Sequence, residues 1–120
     1  MNDRSRKSVI GLNHALNGLR EAIRTERNLR LHLVCALLVT VAGFAVRLEA
    51  AEWAIIMLAN GMVLTAELVN TVVEKMMDYL KPDTHPSAKV IKDIAAGAVF
   101  IAAFFAAAAG LFIFLSKLYT

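Results

Sequence analysis

Apolar side chains run almost unbroken over three stretches: Leu31 to Val46, Trp53 to about Val73, and Ile94 to Leu115. Each is near or above the roughly 17 to 25 residues that carry a helix across a hydrocarbon core, the first only when Leu29 or Leu48 completes it. They predict three membrane-spanning helices, over about 29–48, 52–80 and 86–117. Ahead of them Val9, Leu12, Leu16, Leu19 and Ile23 recur at spacings of three and four among charged residues. That spacing draws one apolar stripe along a helix over about 6–25, and a striped basic helix suits an anionic membrane surface. Lys81-Pro82 stops the second span, Pro82-Asp83-Thr84-His85-Pro86 reads as a short rigid turn, and Pro86 fits the first position of the last helix. That helix is rich in small residues (Ala95, Ala96, Gly97, Ala98, Ala102, Ala103 and Ala106 to Gly110), which let helix backbones approach closely in lipid. The fold class is an all-α membrane protein.

Composition agrees: 58% of the residues are apolar, far above a soluble domain's share. A buried soluble core is the weaker alternative, because Ile94 to Leu115 carries no charge at all. Residues 1–30 hold Arg4, Arg6, Lys7, Arg20, Arg24, Arg27 and Arg30, and the segment after the second span holds Lys75, Lys81, Lys89 and Lys92. The first loop has only Arg47 and the tail only Lys117. By the positive-inside rule the amino terminus and the 75–92 segment face the cytoplasm, as expected of a multi-pass protein of the cell inner membrane. Trp53, Tyr79 and Tyr119 stand near the predicted interfaces. No small-residue cleavage pattern follows the first apolar run, so that run is expected to remain as an anchor. Cys35, the single cysteine, fits plain packing.

The chemistry lies where acids interrupt the second span. Glu67, Asn70, Glu74 and Asp78 fall within about 80° of one another on a helix and form a polar stripe on an otherwise apolar rod. A carboxylate at membrane depth is costly and marks a functional site. Counted from Trp53, Glu67 lies roughly 20 Å down the helix, inside the bilayer, and Glu74 roughly 30 Å down, at its edge. Lipid head groups reach the first; hydrated ions reach the second. Their separation of roughly 10 Å along the axis argues against one compact metal site built from both. Asn60, seven residues before Glu67 on the same face, suits an interhelical hydrogen bond.

The predicted cytoplasmic edge gathers Glu26, Glu74, Asp78, Asp83 and Asp93 with Lys7, His14, His85 and Lys92. Carboxylates beside lysines at a helix amino terminus suit Mg²⁺ with a polyphosphate, and no Cys or His cluster suggests zinc. Lys7, His14 and Glu21 share a polar face of the first helix that a water-soluble ligand could reach. Lys89 fits a snorkelling role as well as an anion contact, whereas Lys92 faces the acidic helix. There is no G-x-x-x-x-G-K-[ST] and no kinase glycine loop, so a nucleotide would be held by other means. So many acids are not readily enclosed by three helices, and a homo-oligomer is expected.

The segments A-E-L-V-N-T-V-V-E-K-M-M-D, H-P-S-A-K-V-I-K-D-I-A-A-G-A-V and G-L-R-E-A-I-R-T-E-R-N-L-R-L-H resemble the small bacterial integral-membrane lipid kinases, the diacylglycerol kinase and undecaprenol kinase family. The likeness runs from about residue 6 to 117, and E-x-x-N-x-x-x-E with a downstream K-D is highly specific for it. The resemblance implies one integral-membrane kinase domain over 1–120, a homotrimeric bundle with an amphipathic surface helix, composite sites at subunit boundaries, and ATP with Mg²⁺, Mn²⁺ being the alternative ion. It implies Glu67 as the base that takes the lipid hydroxyl proton, and Glu26 and Glu74 as metal ligands. Lys7, His14, Glu26, Glu74, Asp83, Thr84, His85, Lys92 and Asp93 would contact the nucleotide, and Arg20, Glu67, Asn70 and Ala96 the lipid. Lys7 and His14 stand where the better-studied diacylglycerol kinases have an arginine and a tyrosine, and Ala96 where they have a serine. T-E-R-N-L-R-L-H, the proline in H-P-S-A-K and K-D-I-A-A-G-A-V look more like the undecaprenol kinase branch. Phosphorylation of undecaprenol to undecaprenyl phosphate is therefore expected, with diacylglycerol to phosphatidic acid as the alternative. No nucleic-acid partner is expected. An oligomeric ion or proton channel could also use intramembrane acids, but it has no need of lysines paired with acids at a helix start.

Overall fold

Helices account for nearly all of the described residues, 3–80 and 85–119, of the computed structural model: α1 (Asp3–Thr25), α2 (Arg27–Ala45), α3 (Ala50–Leu80) and α4 (Pro86–Leu118). The predicted contacts Asp83 and Thr84 lie outside the described residues. α2, α3 and α4 are each long and apolar enough to cross a membrane. α3 packs along α4 and α2 lies against α3, whereas α1 touches chiefly α2. The result is a slab of 53 × 49 × 21 Å with a radius of gyration of 17.8 Å, against about 14 Å for a compact soluble domain of this length. Its flatness leaves large side chains outside: Leu58 is 74% exposed, Phe100 71% and Phe112 79%. Such surface is costly in water and at home in lipid.

The chain bends between α1 and α2 at Glu26, whose backbone is extended. Arg30 folds back over the end of α1 and donates from Nη1 to the carbonyls of Ile23 at 2.8 Å and Arg24 at 3.0 Å. A guanidinium there satisfies orphan carbonyls and complements the negative end of the helix dipole. On exposed α1 the Arg24 guanidinium, hydrogen-bonded to Glu21 at 2.7 Å, holds that carboxyl below the usual carboxylate range. The stripe residues Val9, Leu12, Leu16, Leu19 and Ile23 are between 40% and 60% exposed, so the described residues leave them largely uncovered.

α2 ends in a Schellman motif. Leu48 donates its N–H to the Gly43 carbonyl, Arg47 donates to Phe44, and Arg47 takes the left-handed conformation at φ 58°. The Leu48 side chain then folds onto Gly43, where a Cβ would stand 2.8 Å from Leu48 Cδ1 and 2.7 Å from Trp53 Cη2. This corner continues into a small cluster of Leu48, Ile56 and Ile113, flanked by Val39, Val46, Trp53 and Phe114. Trp53 is thus half-buried in the corner, beside Phe44 at 4.7 Å, while Tyr79 and Tyr119 stay exposed. α3 starts with a capping box: the Glu52 carboxylate accepts the Glu49 N–H at 2.9 Å and also holds Lys117 of α4 at 2.9 Å.

At the other end of the bundle His85 caps α4. Its Nδ1 accepts the Ser87 N–H at 3.2 Å, with Pro86 at the first helical position as predicted. Lys92 of α4 pairs with Asp78 of α3. Ion pairs at both ends therefore fix the register of the α3–α4 pair.

Two substitutions test the corner. Gly43→Ala forces the indole or Leu48 to move and should destabilise the fold by about 1–3 kcal/mol. Arg47→Gly relieves the left-handed strain and should stabilise it by up to about 1 kcal/mol. Thermal unfolding in detergent micelles, followed by helix content, should show the midpoint falling in the first variant and rising in the second.

Candidate active site

The acidic stripe of α3 is present and each member has a different neighbour. Glu67 is buried at 3% exposure and Asn70 at 6%, while Glu74 is half-buried and Asp78 exposed. Burial thus falls toward the basic end of the bundle, the order expected if Glu67 meets lipid and Glu74 meets ions. His32 Nε2 of α2 lies 3.5 Å from Glu67 Oε2. Asn70 Nδ2 donates to Glu74 Oε1 at 3.4 Å, and this leaves the buried Asn70 Oδ1 without a partner among the described residues. A buried acceptor left unpaired is costly, so it is a place where an arriving O–H or N–H is well received.

Glu26, at the α1–α2 bend, stands where a residue would cap α2, yet its side chain makes no capping bond. Its carboxylate turns to Lys75 of α3, 3.5 Å away. That pair sets Glu26 beside the turn of α3 that carries Glu74, two turns beyond Glu67. Three carboxylates, from the bend and from two turns of α3, therefore lie along one stretch of α3, with Lys75 on Glu26 and Lys92 on Asp78. Among the described residues no group of three His, Cys, Asp or Glu is close enough to hold a metal unaided. Two carboxylates fit Mg²⁺ nonetheless, since that ion keeps several waters and binds through one or two carboxylates plus substrate phosphates.

The remaining predicted residues are spread more widely. Asp93 is exposed and pairs with Lys89 at 2.6 Å, so both lysines of the α4 start face acids. His85 is exposed at the helix cap, and Ala96 is exposed one turn beyond Lys92. Lys7, His14 and Arg20 lie on α1, exposed. Asn60 makes no interhelical hydrogen bond among the described residues; it lines a cavity instead. That cavity, about 470 Å³, runs between α2, α3 and α4, walled by Ala36, Val39, Ile56, Leu64, Ala107 and Phe114 among others, and it reaches His32.

His32 is the residue that reading the sequence missed. It interrupts the first apolar run, and with Leu29, Ala36, Val39 and Gly43 it follows the three-four spacing of the inward face of α2. An ionisable side chain on the inward face of a span is a signal of its own.

Comparison with known proteins bears on the whole constellation. The family model for prokaryotic diacylglycerol kinase matches residues 13–114. An undecaprenol kinase of Bacillus subtilis (strain 168) is 45% identical over 105 residues, covering 88% of this chain and 85% of that protein. A diacylglycerol kinase of Synechocystis is 35% identical over 103 residues, covering 85% of this chain and 59% of the longer relative. One from Helicobacter pylori (strain J99) is 30% identical over 92 residues, covering 77% and 72%. With its spans, its acidic stripe and these relatives in agreement, the chain belongs to the prokaryotic diacylglycerol kinase family.

Proposed function

We propose that this protein is a membrane lipid kinase that transfers the γ-phosphoryl group of ATP to the hydroxyl of a lipid alcohol, undecaprenol before diacylglycerol. The observation that carries the reading is the buried Glu67 carboxylate, on a spanning helix, with Glu74 two turns further along it and Glu26 held against the adjacent Lys75. The undecaprenol preference rests on the 45% identity to a relative of that activity, against 35% and 30% for two diacylglycerol kinases.

Each residue's part follows from its place. The lipid hydroxyl arrives at Glu67, and its long chain lies in the apolar cavity that ends beside His32. The Glu67 carboxylate accepts the hydroxyl proton as the oxygen bonds to the γ-phosphorus, and the bond from that phosphorus to the β–γ bridging oxygen breaks, releasing ADP. Asn70, one turn below, borders the same site and donates its Nδ2 to Glu74. Glu26 and Glu74 are the residues that would hold Mg²⁺, which when bound neutralises phosphate charge. Lys92, Asp93 and His85 receive the nucleotide at the α4 start, and Asp83 and Thr84, which precede it in sequence, are its further contacts. Phosphoryl transfer asks mainly for alignment and charge neutralisation, and a carboxylate beside an apolar cavity supplies the first with little water present.

Residues 1–120 form one kinase domain that works as a homotrimer in the cell inner membrane, with the basic end in the cytoplasm. The exposed stripe of α1 rests on the membrane surface, and Lys7, His14 and Arg20 reach a site completed by a neighbouring subunit. The exposure of those three and of the apolar stripe on α1 supports a shared site.

Purified protein in mixed micelles, given γ-labelled ATP and Mg²⁺, should label undecaprenol in preference to diacylglycerol. Glu67→Gln should lower transfer by about 10²–10⁴-fold. Labelling of diacylglycerol alone reassigns the substrate, and unimpaired transfer by Glu67→Gln removes the proposed base. For topology, a cysteine placed at Ser5 in a Cys35→Ser background should react with an impermeant thiol reagent only when the cytoplasmic side is open. Reaction from the outside would invert the proposed orientation.

A further inference from the structure

We infer that His32 is a positioning residue for Glu67, its imidazole holding the carboxylate in the orientation that meets the lipid hydroxyl. This rests on the reading of Glu67 as the base. The neighbours of Glu67 on its own helix point elsewhere. Asn70 donates to Glu74, and the Thr71 hydroxyl donates to the backbone carbonyl of Glu67 at 3.1 Å and leaves the carboxylate alone. Lys75 pairs with Glu26 and Lys92 with Asp78. Among the described residues, the ion-pair partner of the Glu67 carboxylate is His32. A long carboxylate side chain has several rotamers, and an N–H donor on a second helix selects one.

The geometry of α2 suits that task. Leu29, one turn before His32, is 2% exposed, so this face of α2 is packed inward and carries the imidazole with it. The His32 side chain is itself only 27% exposed, against 4% for Glu67, and its Nε2 lies 3.5 Å from Oε2. That distance closes to a hydrogen bond by a small rotation of either side chain. His32 also lines the cavity, so it stands between the carboxylate and the place of the lipid chain. An imidazole there aims the base at a hydroxyl whose chain is already seated.

The test compares His32→Phe, which keeps a ring without a donor, with His32→Gln, which keeps an N–H donor. Both are assayed for lipid phosphorylation beside Glu67→Gln, with thermal unfolding as the control for folding. The inference expects His32→Phe to lose about 10–100-fold in kcat, the usual effect of removing a group that orients a reacting one. The KM for lipid and for ATP should stay within about twofold, because the orientation matters in the transition state. His32→Gln should recover most of the loss, and His32→Phe added to Glu67→Gln should cost nothing further. Unchanged kcat in a folded His32→Phe overturns the inference, as does a loss that lies wholly in KM or that His32→Gln fails to relieve. A fully active Glu67→Gln overturns the assignment of Glu67 itself; an inactive one beside an active His32→Phe overturns only the role of His32.

Discussion

A carboxylate taken into hydrocarbon must be compensated, and that cost organises this chain. Glu67 sits at 3% exposure on a helix whose other faces are apolar, and the groups around it divide according to what they can offer. His32 arrives from α2, Asn70 stands one turn away, and Glu26 and Glu74 gather toward the basic end. Placing any of these at random within 120 residues so apolar would be destabilising. Placed together, they accompany a gradient from buried to exposed that runs along α3 from Glu67 to Asp78.

The scaffold serves that gradient by holding α3 in register. Glu52 and Lys117 join α3 to α4 at one end, and Asp78 and Lys92 at the other. Between them the small residues of α4 leave the cavity open. At the α1–α2 bend, Arg30 takes over the carbonyls of α1, while the Glu26 side chain is spared from capping and faces Lys75. A residue at a helix start that leaves its cap unmade is a small local loss, of the kind retained where the side chain is needed elsewhere.

The spans and the acidic stripe were legible because both rest on periodicity and hydropathy, which a sequence carries locally. Predicted limits of 52–80 and 86–117 meet observed helices at Ala50–Leu80 and Pro86–Leu118. The first span was expected to reach residue 48 and stops at Ala45, because Arg47 adopts a left-handed cap in a position usually given to glycine. α3 begins two residues early because its capping box is Glu49 with Glu52, and lacks the serine or threonine that advertises one. His32 escaped notice for a different reason. Its partner is 35 positions away on another helix, and only packing brings them together. The places of Lys7, His14 and Arg20 were named through resemblance, and the single chain leaves them at the surface of α1.

The central claim is a division of labour along α3, lipid chemistry at Glu67 and nucleotide binding at Glu74 with Glu26. Calorimetric titration of MgATP into purified protein in lipid-free micelles tests it most directly, comparing Glu67→Gln with Glu74→Gln. Glu67→Gln should bind MgATP with affinity within about threefold of the unsubstituted protein, while Glu74→Gln should weaken it by about tenfold or more, as loss of a charged ligand does. Equal loss of nucleotide affinity in both variants, or loss in Glu67→Gln alone, would contradict the division.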